Sequence, residues 1–170
     1  NFLKTLSSEL NCAIFTSLII SEGKKHFNRG VFIDTNQNIQ LYDKRKTFGL
    51  AGEDKVFTAG GVPTILEFKG WRINLQICYD LRFPELTDNR LASDGSSKFD
   101  VIIYVANWPE KRQEHWNTLL KARAIENQSF VIACNRVGID FNNINYSGGS
   151  CVINAVGTVI SKESKKEELI

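Results

Sequence analysis

The sequence has no methionine, only three prolines and two histidines, and four cysteines scattered singly over 170 residues. With His26 and His115 far apart in the chain, a histidine-based metal site or catalytic dyad has little to be built from. None of Cys12, Cys78, Cys134 and Cys151 has the C-x-x-C spacing of a zinc or redox site. No apolar run reaches the roughly 20 residues of a membrane-spanning helix. The longest, 12–20, is interrupted by Thr16 and Ser17, and it lacks the charged front and small-residue cleavage site of a secretory signal. An excess of one charge is missing too. The 21 Lys and Arg against 19 Asp and Glu leave +2, too balanced to imply nucleic acid or an anionic membrane as obligate partner. The expectation is a cytoplasmic domain, in which the sequons at Asn127 and Asn145 read as chance matches. Asn1 stands where an initiator methionine would, and the expectation is that these residues are part of a longer protein.

What is present is an ordinary globular composition. The hydrophobic fraction of 42% supplies enough apolar area to offset ordering entropy, which argues against disorder and for a single domain over 1–170. Residues 1–11 read as the end of an amphipathic helix, on Phe2, Leu3, Leu6 and Leu10. Strands are expected at 12–20, 27–34 and 39–42, the last two as a hairpin, followed by a long functional loop over 43–62. Strands at 64–68 and 71–78 precede a helix opened by Pro84. The runs 101–106 and 130–134 read as strands buried on both faces. Between them, 110–128 reads as a helix with an apolar stripe of Trp116, Leu119, Leu120, Ala124 and Ile125. A hairpin around Val156 and Gly157 follows, and the chain closes on a charged tail from Lys162. The sum is a layered α/β domain.

Cys78, in LQICYDLRFPEL, ends a strand just before the helix expected at Pro84. Ligands of open α/β sheets bind at the carboxyl ends of strands, and a helix N-terminus lowers a thiol pKa. Position alone leaves a nucleophile and a buried structural thiol equally open, whereas Cys12, Cys134 and Cys151 read as core packing. Lys44, in YDKRKTF, could polarise a carbonyl or stabilise an oxyanion, against the default of a solvated loop cation. Glu53, beside Asp54 and Lys55, could orient a substrate or stay solvated. Asn107 and Trp108, in YVANWP, fall at the same sheet edge as Cys78 and could line a pocket. Arg82 could receive a substrate carboxylate, though an ion pair with Asp80 or Glu85 is the preferred reading.

In order, YDKRKTF, GEDKVFTAGG, ICYDLRFPEL, YVANWP, KARAIENQ and CNRVG run over nearly the whole chain. Together they resemble the nitrilase superfamily of carbon–nitrogen hydrolases, and most of all its omega-amidase branch. The resemblance implies an α/β fold, a four-layer α-β-β-α sandwich incomplete in this chain. It implies Cys78 as nucleophile, Lys44 as catalytic lysine and Glu53 as substrate-orienting glutamate. The backbone N–H of Tyr79 would pair with Lys44 as oxyanion hole. The activity implied is hydrolysis of the terminal amide of a 2-oxo dicarboxylate such as 2-oxoglutaramate, through a cysteine thioester, by a homodimer or larger homo-oligomer. No metal or organic cofactor is implied, nor nucleic acid or membrane as partner.

Two departures stand out. The family's general-base glutamate has no match in this chain, where Glu9 and Glu22 are the only early candidates. Its absence would cost about 10²–10⁴-fold in rate, so a non-catalytic binding subunit of the same fold is the competing expectation. Lys46 and Thr47 stand where the branch commonly has His-Leu.

Overall fold

The structure is a computed structural model that describes residues 2–89, 95–162 and 166–167. Asn1 and most of the charged tail lie outside these. A short helix α1 (Phe2–Glu9) leads into three antiparallel strands, β1 (Ile14–Glu22), β2 (Lys25–Ile33) and β3 (Ile39–Asp43), in spatial order β1-β2-β3. The β2–β3 hairpin was expected from its turn residues. There the Asp34 carboxylate accepts the backbone N–H groups of Asn36 and Asn38, at 2.8 and 2.9 Å. The long segment that follows holds a turn of 3-10 helix and one turn of α-helix, α2 (Glu53–Val56).

A second sheet of five strands has the order β10-β7-β6-β5-β4, with β4 (Ile65–Phe68), β5 (Trp71–Ile77), β6 (Val101–Ala106), β7 (Phe130–Asn135) and β10 (Cys151–Ile153). Its three central strands are parallel, with Ile77 level with Val105 and Val105 level with Cys134. Their carboxyl ends therefore open on one edge. The antiparallel strands β4 and β10 close the flanks. A separate hairpin, β8 (Val137–Ile139) with β9 (Asn145–Ser147), follows β7 and had no counterpart in the sequence reading.

Two cores hold the layers. Phe32 and Tyr42 of the three-stranded sheet pack on Leu66, Ile73, Leu75 and Ile77 of the five-stranded one. On the other face, Trp116, Leu120 and Ala124 of α3 (Gln113–Asn127) pack on Ile102, Tyr104, Val131 and Ala133. The helix over 110–128 thus opens with a 3-10 turn, and its Ile125 points outward rather than into the stripe. β7 is buried on one face only, with Ile132 and Cys134 exposed on the other. At its carboxyl end that face lines a cavity, so Cys134 meets open space there rather than the core. For Cys134, and for Cys12 at the start of the first strand, the core-packing expectation fails: both are exposed, and only Cys151 is buried. Asn127, the first sequon, is itself buried and holds Asn89 through its side-chain and backbone oxygens. Among the described residues no helix is long and apolar enough to cross a membrane.

Candidate active site

Cys78 leaves β5 with a backbone φ of +48° and begins a five-residue 3-10 turn, Cys78–Arg82. A side chain in this left-handed conformation costs about 1–2 kcal/mol, and the chain turns sharply enough there to present the thiol at the sheet edge. The expected helix at Pro84 is only a four-residue 3-10 turn, Pro84–Thr87, so a helix dipole acting on the thiol is not what the structure provides. The thiol is instead shifted upward. Burial is the main cause, and the Lys44 ammonium pulls the other way. The Sγ–H donates to the Asn107 carbonyl at 3.8 Å, a bond that only the protonated thiol can make. It needs a proton acceptor to react at neutral pH.

Lys44 is not a solvated loop cation. It is 3% exposed, and its Nζ lies 2.5 Å from Glu53 Oε2, an oxygen that also accepts the Phe48 N–H at 2.6 Å. A buried cation is tolerable only with such a partner. The backbone around it is fixed on both sides, its N–H on Asn28 O and its carbonyl on Gly60 N, each at 2.9 Å. At Gly60 a side chain has no room, since a Cβ there would stand 2.2 Å from the Asp43 carbonyl oxygen. Gly60 of the TAGG segment thereby lets the chain return against Lys44.

On the neighbouring strand, Trp108 is buried, and its backbone is held by one side chain. Asn135 Oδ1 accepts the Trp108 N–H at 2.7 Å, while Nδ2 donates to the Trp108 and Gly148 carbonyls at 3.1 and 2.7 Å. Asn107 is exposed and meets Cys78 through its backbone carbonyl rather than its amide. The Tyr79 ring is wedged between Phe48 and Phe83, with centroids at 4.8 and 5.2 Å.

Arg82 is not ion-paired as expected. Asp80 faces the other way, and Glu85 takes Lys46 Nζ at 2.9 Å. The Arg82 guanidinium lies 4.9 Å from the Trp108 ring and donates to His115 Nδ1 at 2.9 Å. Among the described residues no carboxylate pairs with it, so its charge is available to a ligand. Lys46, at one of the two departures, spans Glu85 and the Phe83 ring, 4.5 Å from the ring centroid.

These groups surround one cavity of about 520 Å³, lined by Lys44, Glu53, Cys78, Tyr79, Arg82 and Trp108 among others. The structure thus brings together every residue singled out for this edge. The arrangement can present a thiol to a carbonyl carbon, with an ammonium beside it for the oxygen and a guanidinium for a distal anion. Sequence reasoning missed four contributors. Asn135 sits in CNRVG without an assigned role, and Arg112 and Arg136 reach the cavity stacked on Phe48 and Tyr146. The fourth is Asp80, considered only as a partner for Arg82; its actual partners Tyr42 and Lys46 lie 38 and 34 residues away, where no local pattern points. Among the described residues no group of three or more His, Cys, Asp or Glu is placed to hold a metal ion.

Comparison with known proteins agrees with the resemblance. The family described as "Carbon-nitrogen hydrolase" matches residues 1–170. The chain is 40% identical over 161 residues to omega-amidase YafV of Escherichia coli K12, covering 95% of this chain and 60% of that protein. It is 35% identical over 150 residues to a 2-oxoglutaramate amidase of Paenarthrobacter nicotinovorans, covering 85% of this chain and 49% of that protein. A crystal structure of a CN-hydrolase superfamily protein of Xanthomonas campestris, which carries an arsenic adduct in its active site, superposes with a TM-score of 0.93 at 41% identity. It covers 97% of this chain and 64% of that one. The chain therefore spans about 60% of the length of such relatives. On the family match over its whole length and on this superposition, the chain belongs to the carbon–nitrogen hydrolases of the nitrilase superfamily.

Proposed function

We propose that the protein to which this chain belongs hydrolyses the terminal amide of a small 2-oxo acid such as 2-oxoglutaramate, releasing ammonia. The observation that carries the reading is the meeting in one cavity, at the carboxyl edge of a parallel sheet, of Cys78, Lys44 and an Arg82 with no carboxylate partner among the described residues. The Cys78 sulfur attacks the amide carbon, and the Tyr79 N–H with Lys44 Nζ takes the developing oxyanion. The C–N bond breaks with transfer of a proton to nitrogen, and ammonia leaves a thioester. Water then cleaves the C–S bond, yielding the carboxylate and restoring the thiol.

Glu53 is engaged by Lys44 and Phe48, which suits an orienting role rather than that of base. The base expected from the family resemblance is a glutamate with no match among these residues, and an upward-shifted thiol requires one. Arg82 would hold the substrate carboxylate against the Trp108 face. The reading includes a single hydrolase domain in a four-layer α-β-β-α sandwich of which this chain carries part, and assembly into dimers or larger oligomers. Four free thiols support a reducing compartment such as the cytoplasm.

The test is ammonia release by the full-length protein from 2-oxoglutaramate, with Cys78→Ala alongside. Release that disappears in the variant is expected. Undiminished release in the variant overturns the reading, and no release by the unaltered protein favours a binding subunit of the same fold.

A further inference from the structure

Asp80 takes no part in the chemistry just described, yet both halves of the site are tied to its carboxylate. We infer that Asp80 is a positioning residue that sets Lys44 in register with Cys78, because one buried carboxylate accepts hydrogen bonds from residues flanking each of them. Oδ2 accepts the Tyr42 O–H at 2.8 Å and the Ile77 N–H at 3.1 Å, and Oδ1 accepts the Lys46 N–H at 2.9 Å. Tyr42 and Lys46 stand two residues either side of Lys44, and Ile77 directly precedes Cys78.

The need for such a tie follows from the topology. Lys44 follows β3 of the three-stranded sheet and Cys78 follows β5 of the five-stranded one. Strands in different sheets share no ladder of backbone hydrogen bonds, and apolar packing between faces is non-directional. A fully buried side chain with directional bonds to both is what fixes their relative placement. Three donors face the carboxylate, so its ionised form is the one the geometry serves, although burial raises its pKa. The inference rests on the reading of Cys78 as nucleophile with Lys44 as its charged neighbour.

Among the described residues, the charged and titratable groups that act on the thiol are Lys44, Glu53, Asp80 and the Tyr146 phenol, and Tyr79, Arg82, Arg112, Cys134 and Arg136 line the same cavity. Asp80→Glu keeps the charge and moves the carboxylate by one methylene, so it separates placement from charge. The experiment is the pH dependence of iodoacetamide alkylation at Cys78, mapped by mass spectrometry, in the full-length protein and in Asp80→Glu, Lys44→Ala and the double variant. The expected result is a midpoint raised by about one pH unit in Asp80→Glu, matching Lys44→Ala, with no further rise in the double variant. A wild-type midpoint in folded Asp80→Glu overturns the inference, as does a shift that persists in full without Lys44. Should Asp80→Glu fail to fold, Tyr42→Phe removes one donor alone. A smaller shift in the same direction supports the inference, and none overturns it. Failure of the amidase reading is separate, because it appears as absent ammonia release while the alkylation cycle still closes.

Discussion

Lys44 Nζ and Glu53 Oε2 meet at 2.5 Å, and the same oxygen takes the Phe48 N–H, so one carboxylate both neutralises the cation and folds the loop that carries it. The two roles separate by mutation. Glu53→Ala strands a buried ammonium and should destabilise the fold by about 3 kcal/mol, whereas Lys44→Met, which removes the charge and keeps the stem, should cost less. Both should lower kcat by about 10²-fold or more through loss of oxyanion stabilisation. Urea unfolding alongside ammonia release distinguishes the two effects.

Gly60→Ala places a methyl group against the Asp43 carbonyl oxygen, backbone that cannot swing away. The loop must then withdraw from Lys44. The expected outcome is a loss of kcat comparable to that of Lys44→Ala with the rest of the fold intact, read from kinetics together with circular dichroism.

Arg82→Ala should raise KM for a carboxylate-bearing amide by about 10–100-fold and leave a neutral amide of similar length nearly unaffected. Equal losses on both substrates would show that Arg82 serves only to hold Trp108 and His115.

Behind Cys78, Arg123 is buried in α3 and donates from Nε and Nη2 to the Leu81 carbonyl at 3.1 and 2.7 Å. Arg123→Ala leaves that carbonyl unsatisfied and should cost about 2–3 kcal/mol. Arg123→Lys should recover little of it, because an ammonium cannot reproduce the fork. Chemical denaturation measures both.

The upward shift of the Cys78 thiol has a pH signature. The fold favours the protonated form, so this contribution to stability is complete below the ordinary thiol pKa of about 8.5 and is lost as pH rises through it toward the folded value. Alkaline stability should therefore improve in Cys78→Ser. Thermal melts at pH 7 and pH 10 supply the comparison.

The sheet edge was legible from sequence because strand-end residues in an α/β pattern are marked locally: ICYD, ANWP and CNRV each end a short apolar run. The positions of β1 to β7, the β2–β3 hairpin and the 43–62 loop followed from the same local signals, whereas the short β8–β9 hairpin did not. What was not legible depended on distant partners. Lys44 reads as exposed until Glu53 and Gly60 close around it, and Asp80 is invisible as a tie because two of its three donors, Tyr42 and Lys46, come from β3 and the segment after it. Cys134 was assigned to the core by an apolar run that does not reveal that its strand end lines a cavity. The helix expected at Pro84 failed for a simpler reason: proline marks a first turn but not whether a second follows.

The left-handed backbone at Cys78 sets two kinds of selection against each other at one codon. A library screened only for thermal tolerance should drift there toward glycine or asparagine, which adopt that conformation with less strain. With Cys78 as the proposed nucleophile, a library screened for turnover must keep sulfur in a posture that a folding-based choice would discard. On that proposal, computational stabilisation of this protein should hold position 78 fixed before any other.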